Sequence, residues 1–446
     1  MDRNKGSGGS TKNHDKSIQR ELLAYALPSI VGMVIVGIQT FVDGIFVAKG
    51  VGTLGLAAVN LSMPMISVML SVTIMIISGG IVVAGVEKGR GNEPLARGYT
   101  TLTFAVLAAA GVLMALLVGL NLKRLCYFLG ANDAVYPHMR RYLGVIGCGF
   151  LFYCIPNFTE AFNRLAGRPN WVFLSGTICC VVNVVLDYFF VLRLDMGTLG
   201  AAVATCAANS SAAVVLAPNV RMGRIRGNWA TVKRMMFNGS SELFTSVSAA
   251  VTTFVFNLVL MRQIGPTGVA ALTIVNYLNF FVNISIFGLS QALFPLMSFQ
   301  LGTRSYNGIS TLLRTALMLS GCIGVGTYLL VQLLKGPIVG VFANGDAQLL
   351  EVAWTATTLV TIHYLFSFAN IIGSSFHTAV ERPIESVAIA VCRCIVFVMP
   401  PLFLLTPLIG QTGIWLSMPI AEVLTLCVSL PLMARTLRRL KVRFGA

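Results

Sequence analysis

The sequence predicts an all-α integral membrane fold of twelve transmembrane helices, arranged as two pseudo-symmetric six-helix lobes. Three observations carry that prediction. Of 446 residues, 56% are hydrophobic and only 11% are charged, against about 25% charged in a soluble globular domain. The apolar runs reach the roughly 20 residues that cross a bilayer. The two halves of the chain also realign at a constant offset of 213 residues.

The runs justify the elements in order. In the first half they cover 22–48, 53–86, 97–121, 138–166, 170–194 and 198–220. In the second they cover 234–262, 266–301, 309–333, 350–380, 384–407 and 412–437. The second and eighth are long enough to tilt or to extend beyond the bilayer. Pro28, Pro64, Pro156, Pro295, Pro400, Pro401, Pro407 and Pro419 fall inside runs. Each removes a backbone hydrogen bond, which predicts a kink. Pro28, near the start of the first span, is a natural bending point.

FVDGIFVAKGVGTLGLAAV (Phe41–Val59) realigns without a gap on FVFNLVLMRQIGPTGVAAL (Phe254–Leu272). Gly52/Gly265, Gly55/Gly268, Ala57/Ala270 and Ala58/Ala271 are identities. Gly197-x-x-Gly200 against Gly410-x-x-Gly413 keeps the offset, and FNRLAGRP against FHTAVERP sits at 214. Six spans per half is an even number, so both lobes enter from the same side and the repeat is parallel. The domain plan is a disordered polar tail (1–20), a first lobe (21–220), a linker (221–233), a second lobe (234–437) and a basic tail (438–446).

The formal net charge of +16 is sided rather than clustered for nucleic acid. With both termini inside, the inner segments hold 23 Lys/Arg and the outer segments hold eight, with Arg393 within a span. This positive-inside bias places both termini and the linker in the cytoplasm. It points to a multi-pass protein of the plasma (inner) membrane. RTLRRLKVR (Arg435–Arg443) suits contact with anionic membrane lipid, and no nucleic-acid partner is expected. The ten cysteines are scattered through apolar segments without a CxxC pair. They read as helix-packing residues, so neither disulfides nor a metal-thiolate site is expected. No P-loop, HExxH or GxSxG motif occurs, which leaves an ion gradient as the energy source and no enzyme signature.

Ionisable residues inside a membrane are costly and mark function by default. A rise of 1.5 Å per residue puts Asp43 roughly 8 Å below the outer end of the first span. Asp187 in the fifth and Thr205 in the sixth lie roughly 10 Å deep. Asn183 precedes Asp187 by one turn on the same face. Two carboxylates, an amide and a hydroxyl meet in the outer half of the first lobe. These are hard oxygen ligands for a cation or a shared proton. At the repeat offset they become Phe256, Val396, Pro400 and Met418. Packing alone would let both lobes keep the polar set, so the asymmetry argues for a site. Glu160 and Arg164 are spaced for a local ion pair. Arg393 and Glu422 are expected to form a structural interhelical pair. Glu242 has no evident partner and is a candidate for substrate or coupling, as is Glu160. His363 and His377 are expected to be hydrogen-bonded.

ALPSIVG, FVDGIFVAKGVGTLGLAAVNLSMP, NVVLDYFFVL, GTLGAAVAT and GIWLSMPIAE together resemble the multidrug and toxic compound extrusion (MATE) transporters of bacteria, over nearly all of residues 20–437. The resemblance implies that Asp43, Asn183, Asp187 and Thr205 couple cation movement, and that Glu242 is the acidic residue of the seventh span. The tenth-span carboxylate of sodium-coupled members has no match, because 354–380 contains neither Asp nor Glu. The implied function is export of amphipathic, often cationic, organic compounds by alternating access, with proton or sodium as coupling ion. No other cofactor is implied. No metal is implied beyond a sodium ion at those four residues. A monomer is expected. The alternative is a flippase for lipid-linked precursors of the same broader superfamily. It is disfavoured because only Arg393 is an intramembrane cation.

Overall fold

The computed structural model describes residues 7–343 and 346–445. Among them the chain forms α-helices and no strand. The first half holds α1 (Ser7–Val51), α2 (Thr53–Gly89), α3 (Glu93–Phe128), α4 (Tyr136–Cys148), α5 (Phe150–Leu165), α6 (Pro169–Asp187) and α7 (Gly197–Leu216). The second holds α8 (Trp229–Gln263), α9 (Pro266–Gly302), α10 (Tyr306–Ala343), α11 (Ala347–Val360), α12 (Tyr364–Ala379), α13 (Pro383–Val391), α14 (Met399–Ile409) and α15 (Gln411–Phe444). Eleven helical segments are long and apolar enough to cross a membrane. A twelfth span results when α4 and α5, bent by 47° at their junction, are taken as one. The bend has a local cause. A Cβ on Gly149 would lie 2.7 Å from the carbonyl oxygen of Val145, so the turn closes too tightly for a side chain.

The chain divides into two compact units. One is Ala24–Gly239. The other is Ser240–Ala446, with which the residues before Ala24 group. Within the first, α2 is the core helix. It packs on α3, α4 and α5, while α7 packs on α4, α5 and α6. Residues 75–87 of α2 are buried on every face, as expected of a helix surrounded by others. Within the second, α9 packs on α10, α11 and α12, and α15 packs on α12 and α14. Residues 292–298 of α9 are likewise buried throughout, at the repeat equivalent of 79–85.

The repeat extends to the backbone. Gly52 precedes α2 with φ 77° and ψ −159°, and Gly265 precedes α9 with φ 83° and ψ −159°. This region is open to glycine and nearly closed to other residues. The left-handed turns at Gly91 and Gly167 recur at Arg304 (φ 57°) and Glu381 (φ 58°). The break at Gly149 recurs as the single 3₁₀ turn Thr361–His363 between α11 and α12. Fifth and eleventh spans each carry a π-helical stretch, Tyr188–Arg193 and Cys392–Val396.

Three expectations at the domain boundaries change. The polar tail 1–20 is helical from Ser7, continuous with the first span. Extending an existing helix costs far less than starting one. Residues 1–6 of that tail lie outside the described residues. The basic tail 438–446 continues α15 to Phe444, with Lys441 and Arg443 in its last turn, where cations suit the helix dipole. The division between units falls within α8 rather than before it. Gly79 of α2 and Gly239 of α8 explain this. A Cβ on either would collide with the carbonyl oxygen of Met235 or of Met75. The two helices cross at backbone contact through small residues, which fastens the start of α8 to the first unit. Residues 221–228 run against α3. The Thr101 hydroxyl donates to the carbonyl of Gly223 at 2.8 Å and accepts from its N–H at 3.0 Å.

Candidate functional site

Three helices of the first unit set the geometry. Val47, Val191 and Ala201 form a buried apolar cluster joining α1, the π-helical stretch after α6, and α7. Gly50 allows the approach, since a Cβ there would meet the Val191 side chain at 2.5 Å. Val47 lies one turn after Asp43, Val191 about one turn after Asp187, and Ala201 one turn before Thr205. Because α7 runs opposite to α1 and α6, all three polar residues fall one turn from the cluster on the same side. Packing of small apolar groups thereby brings the two carboxylates to one level.

Asp43 faces Asp187 and Asn183 at interaction distance. Asn183 is fully buried and Asp187 is 1% exposed, while Asp43 is half-buried. Yet Oδ1 of Asp43, both carboxylate oxygens of Asp187, and both polar atoms of the Asn183 side chain are buried without a hydrogen-bond partner. Orphaned polar atoms are scarce in folded proteins and costly. Two adjacent carboxylates compound the cost through mutual repulsion. The set fits a shared proton or a small hard cation held by carboxylate and amide oxygens. Thr205 stands at the same level on α7, and its hydroxyl donates to the carbonyl of Ala201 at 2.9 Å.

Two tyrosines complete the surroundings, and sequence reasoning missed them. Tyr142 of α4 lies within the electrostatic field of both Asp43 and Asp187, and Tyr153 of α5 within that of Asp43. They flank the bend at Gly149. Tyrosine is ordinary in apolar spans, so composition gave no signal. Their closeness to the Gly149 break was the only available hint.

The second unit keeps the packing and drops the chemistry. Leu260 and Ile414, the repeat equivalents of Val47 and Ala201, belong to one buried cluster with Phe256, the equivalent of Asp43. Met418, the equivalent of Thr205, packs against it.

The remaining candidates are held by partners, with one exception. Glu160 pairs with Arg164 at 3.3 Å, and Arg164 also donates to Ser29. Arg393 pairs with Glu422 at 2.5 Å. The other Glu422 oxygen accepts from Asn370 at 2.7 Å, and Asn370 in turn accepts from Ser429 at 2.6 Å. His363 and His377 bond the carbonyls of Val360 and Gly373 at 2.7 and 2.6 Å. Glu242 of α8 is the exception, for its carboxylate meets no ion-pair or hydrogen-bond partner among the described residues. No group of three or more His, Cys, Asp or Glu side chains is placed to hold a metal among those residues.

The MatE family model matches residues 28–189 and again 243–404. The chain belongs to the MatE family. The two matched segments coincide with the two halves of the repeat, and the MatE assignment accounts for the all-helical two-lobe fold. Among curated relatives, the FAD transporter of Shewanella oneidensis is 23% identical over 430 residues, covering 91% of this chain and 92% of that protein. The multidrug export protein MepA of Staphylococcus aureus is 21% identical over 418 residues, covering 90% of each. The crystal structure of a mutant Vibrio cholerae MATE transporter, VcmN, superposes with a TM-score of 0.90 at 18% identity, covering 95% of this chain and 98% of that one. This MatE chain is therefore a multi-pass membrane protein of a transporter family.

Proposed function

We propose that the protein is a cation-coupled antiporter that exports amphipathic, often cationic, organic compounds by alternating access. The observation that carries the reading is the cluster of Asp43, Asn183 and Asp187, in which Oδ1 of Asp43 and both Asp187 carboxylate oxygens are buried without a hydrogen-bond partner and whose second-unit counterparts are apolar. A proton or a sodium ion offsets the negative charge there. Coupling follows if that ion and the exported compound each bind the two states of the transporter unequally. Asp43 and Asp187 act as the exchanging pair, Asn183 and Thr205 as oxygen donors, and Tyr142 and Tyr153 as hydroxyls beside them. Glu242, half-buried and apart from any partner among the described residues, is a second acidic group open to a cation or a cationic compound. The positive-inside bias puts both termini and residues 221–228 in the cytoplasm, and each chain works as a monomer.

The relative named as a FAD transporter supports a second reading of the substrate, an anionic dinucleotide. The lipid-precursor flippase is less well supported, because Arg393, the cation deepest in a span, is engaged by Glu422.

The test is gradient-driven efflux from reconstituted vesicles, with proton and sodium gradients imposed separately. The substrate panel holds cationic dyes and FAD. Asp43→Asn preserves shape and removes the charge change. The variant is expected to fold and to fail to export against a gradient. Wild-type export by Asp43→Asn under both gradients would remove Asp43 from the coupling role.

A further inference from the structure

A small cavity of about 130 Å³ opens at the basic end of the first unit, away from the Asp43 site. Lys88, Arg97, Arg168 and Arg221 line it, with Glu93 as the opposing charge. Leaving Lys88 aside, three arginines face one carboxylate, which leaves a positive excess. Phe162 and Leu165 form an apolar side of the same cavity. Its volume corresponds to about four waters. Pockets for drug-sized ligands run to roughly 300–1,000 Å³, so this one accepts a single phosphate-sized group.

Arg97 is only partly satisfied. Glu93 approaches Nε of Arg97 at 3.4 Å, yet that Nε is buried without a hydrogen bond. Arg168 donates to Asn219. Lys88 donates to the carbonyl of Leu165 at 2.5 Å. Arg221 is exposed and has no ion pair among the described residues. Glu93, which opens α3, and Arg168, which precedes α6, line the cavity, and neither helix carries a side-chain cap. Uncapped first-turn amides favour an anion. Arginine forks match phosphate oxygens bidentately. The second unit lacks the arrangement. At the repeat offset Lys88 becomes Leu301 and Arg97 becomes Ser310, while Arg382, which matches Arg168, is engaged by Glu385 at 3.4 Å.

We infer that this cavity is a phosphate-binding site. The phosphate belongs either to the headgroup of an anionic membrane phospholipid or to a soluble phosphorylated compound. The site is separate from the cation site, and the inference does not rest on the transport reading.

The experiment measures the melting temperature of the full chain by tryptophan fluorescence in phosphatidylcholine nanodiscs. One arm adds phosphatidylglycerol to the discs and another adds inorganic phosphate to the buffer. Saturating ligand is expected to raise the wild-type midpoint by roughly 2–4 °C in at least one arm. Arg221→Gln, whose side chain is exposed, and the double variant Arg97→Gln/Arg221→Gln are expected to lose the rise. Arg382→Gln is expected to keep it. A rise with phosphatidylglycerol alone identifies a lipid headgroup, and a rise with inorganic phosphate identifies a soluble phosphate. An unchanged midpoint in both arms, or a rise of equal size in the double variant, overturns the site.

Discussion

Asp43 and Phe256 occupy one position of the same repeated fold, and the difference between them is the clearest statement about function at the scale of single residues. Phe256 is fully buried among Leu260, Ile414 and Trp415, so that position can be filled by packing alone. Where Asp43, Asn183 and Asp187 stand instead, buried oxygens go unpaired. Loss of the polar set should therefore damage transport more than loss of its apolar counterparts. Asn183→Ala and Thr205→Ala are expected to lower efflux on the order of tenfold, a change of about 1.4 kcal/mol. Val396→Ala and Met418→Ala should stay near wild type at matched expression, and equal losses in both sets would mean that the asymmetry is not functional. The carboxylates and their partner amide were legible in the sequence because a charge in an apolar run stands out and its depth follows from helix rise. Tyr142 and Tyr153 were not legible, since only the bend in the fourth span brings them near Asp43. Glu160 and Glu422 were expected from the sequence to pair with Arg164 and Arg393. The structure separates both from Asp43 by the cations that engage them.

Among the elements, hydropathy located the spans and was blind to their interruptions. The run 138–166 contains no polar gap at Gly149, yet the helix bends there by 47°. The π-helical stretches at Tyr188–Arg193 and Cys392–Val396 lie in equally apolar sequence. A change in hydrogen-bond register leaves side-chain polarity untouched, so no composition signal accompanies it. The crossing of α2 and α8 is similarly silent, because glycines are common in membrane spans. Its consequence is measurable. Gly239→Ala forces a Cβ against the carbonyl of Met75 and should destabilise the fold by about 1–3 kcal/mol, the usual range for overpacking. Gly32→Ala, with open space around it, should be neutral or stabilising by up to about 1 kcal/mol. Thermal unfolding of the two variants in detergent, followed by size-exclusion chromatography, tests the pair. A Gly239→Ala protein as stable as Gly32→Ala would mean that the helices do not cross in contact.

For the whole molecule, the parallel repeat and the charge bias predict that residues 221–228 face the cytoplasm. Gly227 sits at φ 109° and would be strained by substitution, so the exposed Ile225 is the better reporter. Ile225→Cys, in a background lacking the exposed Cys148, Cys322 and Cys427, should react with an impermeant thiol reagent only from inside. Labelling of intact cells from outside would invert the topology. The twelve-span plan and the repeat were legible because duplication preserved glycines at turns and apolar residues within spans. The division within α8 was not, since it depends on which unit a continuous helix packs against. The left-handed turns have a further use, in protein engineering. Each half of the chain is a record of substitutions that the other half's backbone has tolerated through divergence. At Gly91 the first half keeps the residue suited to a positive φ, whereas the second carries Arg304 at φ 57°, where a side chain costs about 1–2 kcal/mol. Copying the first half's residue across, Arg304→Gly should raise the thermal midpoint without touching transport, and a lowered midpoint would show that the arginine side chain outweighs its strain. A chain that carries its own variant library offers a route to a stabilised transporter without any collection of homologues.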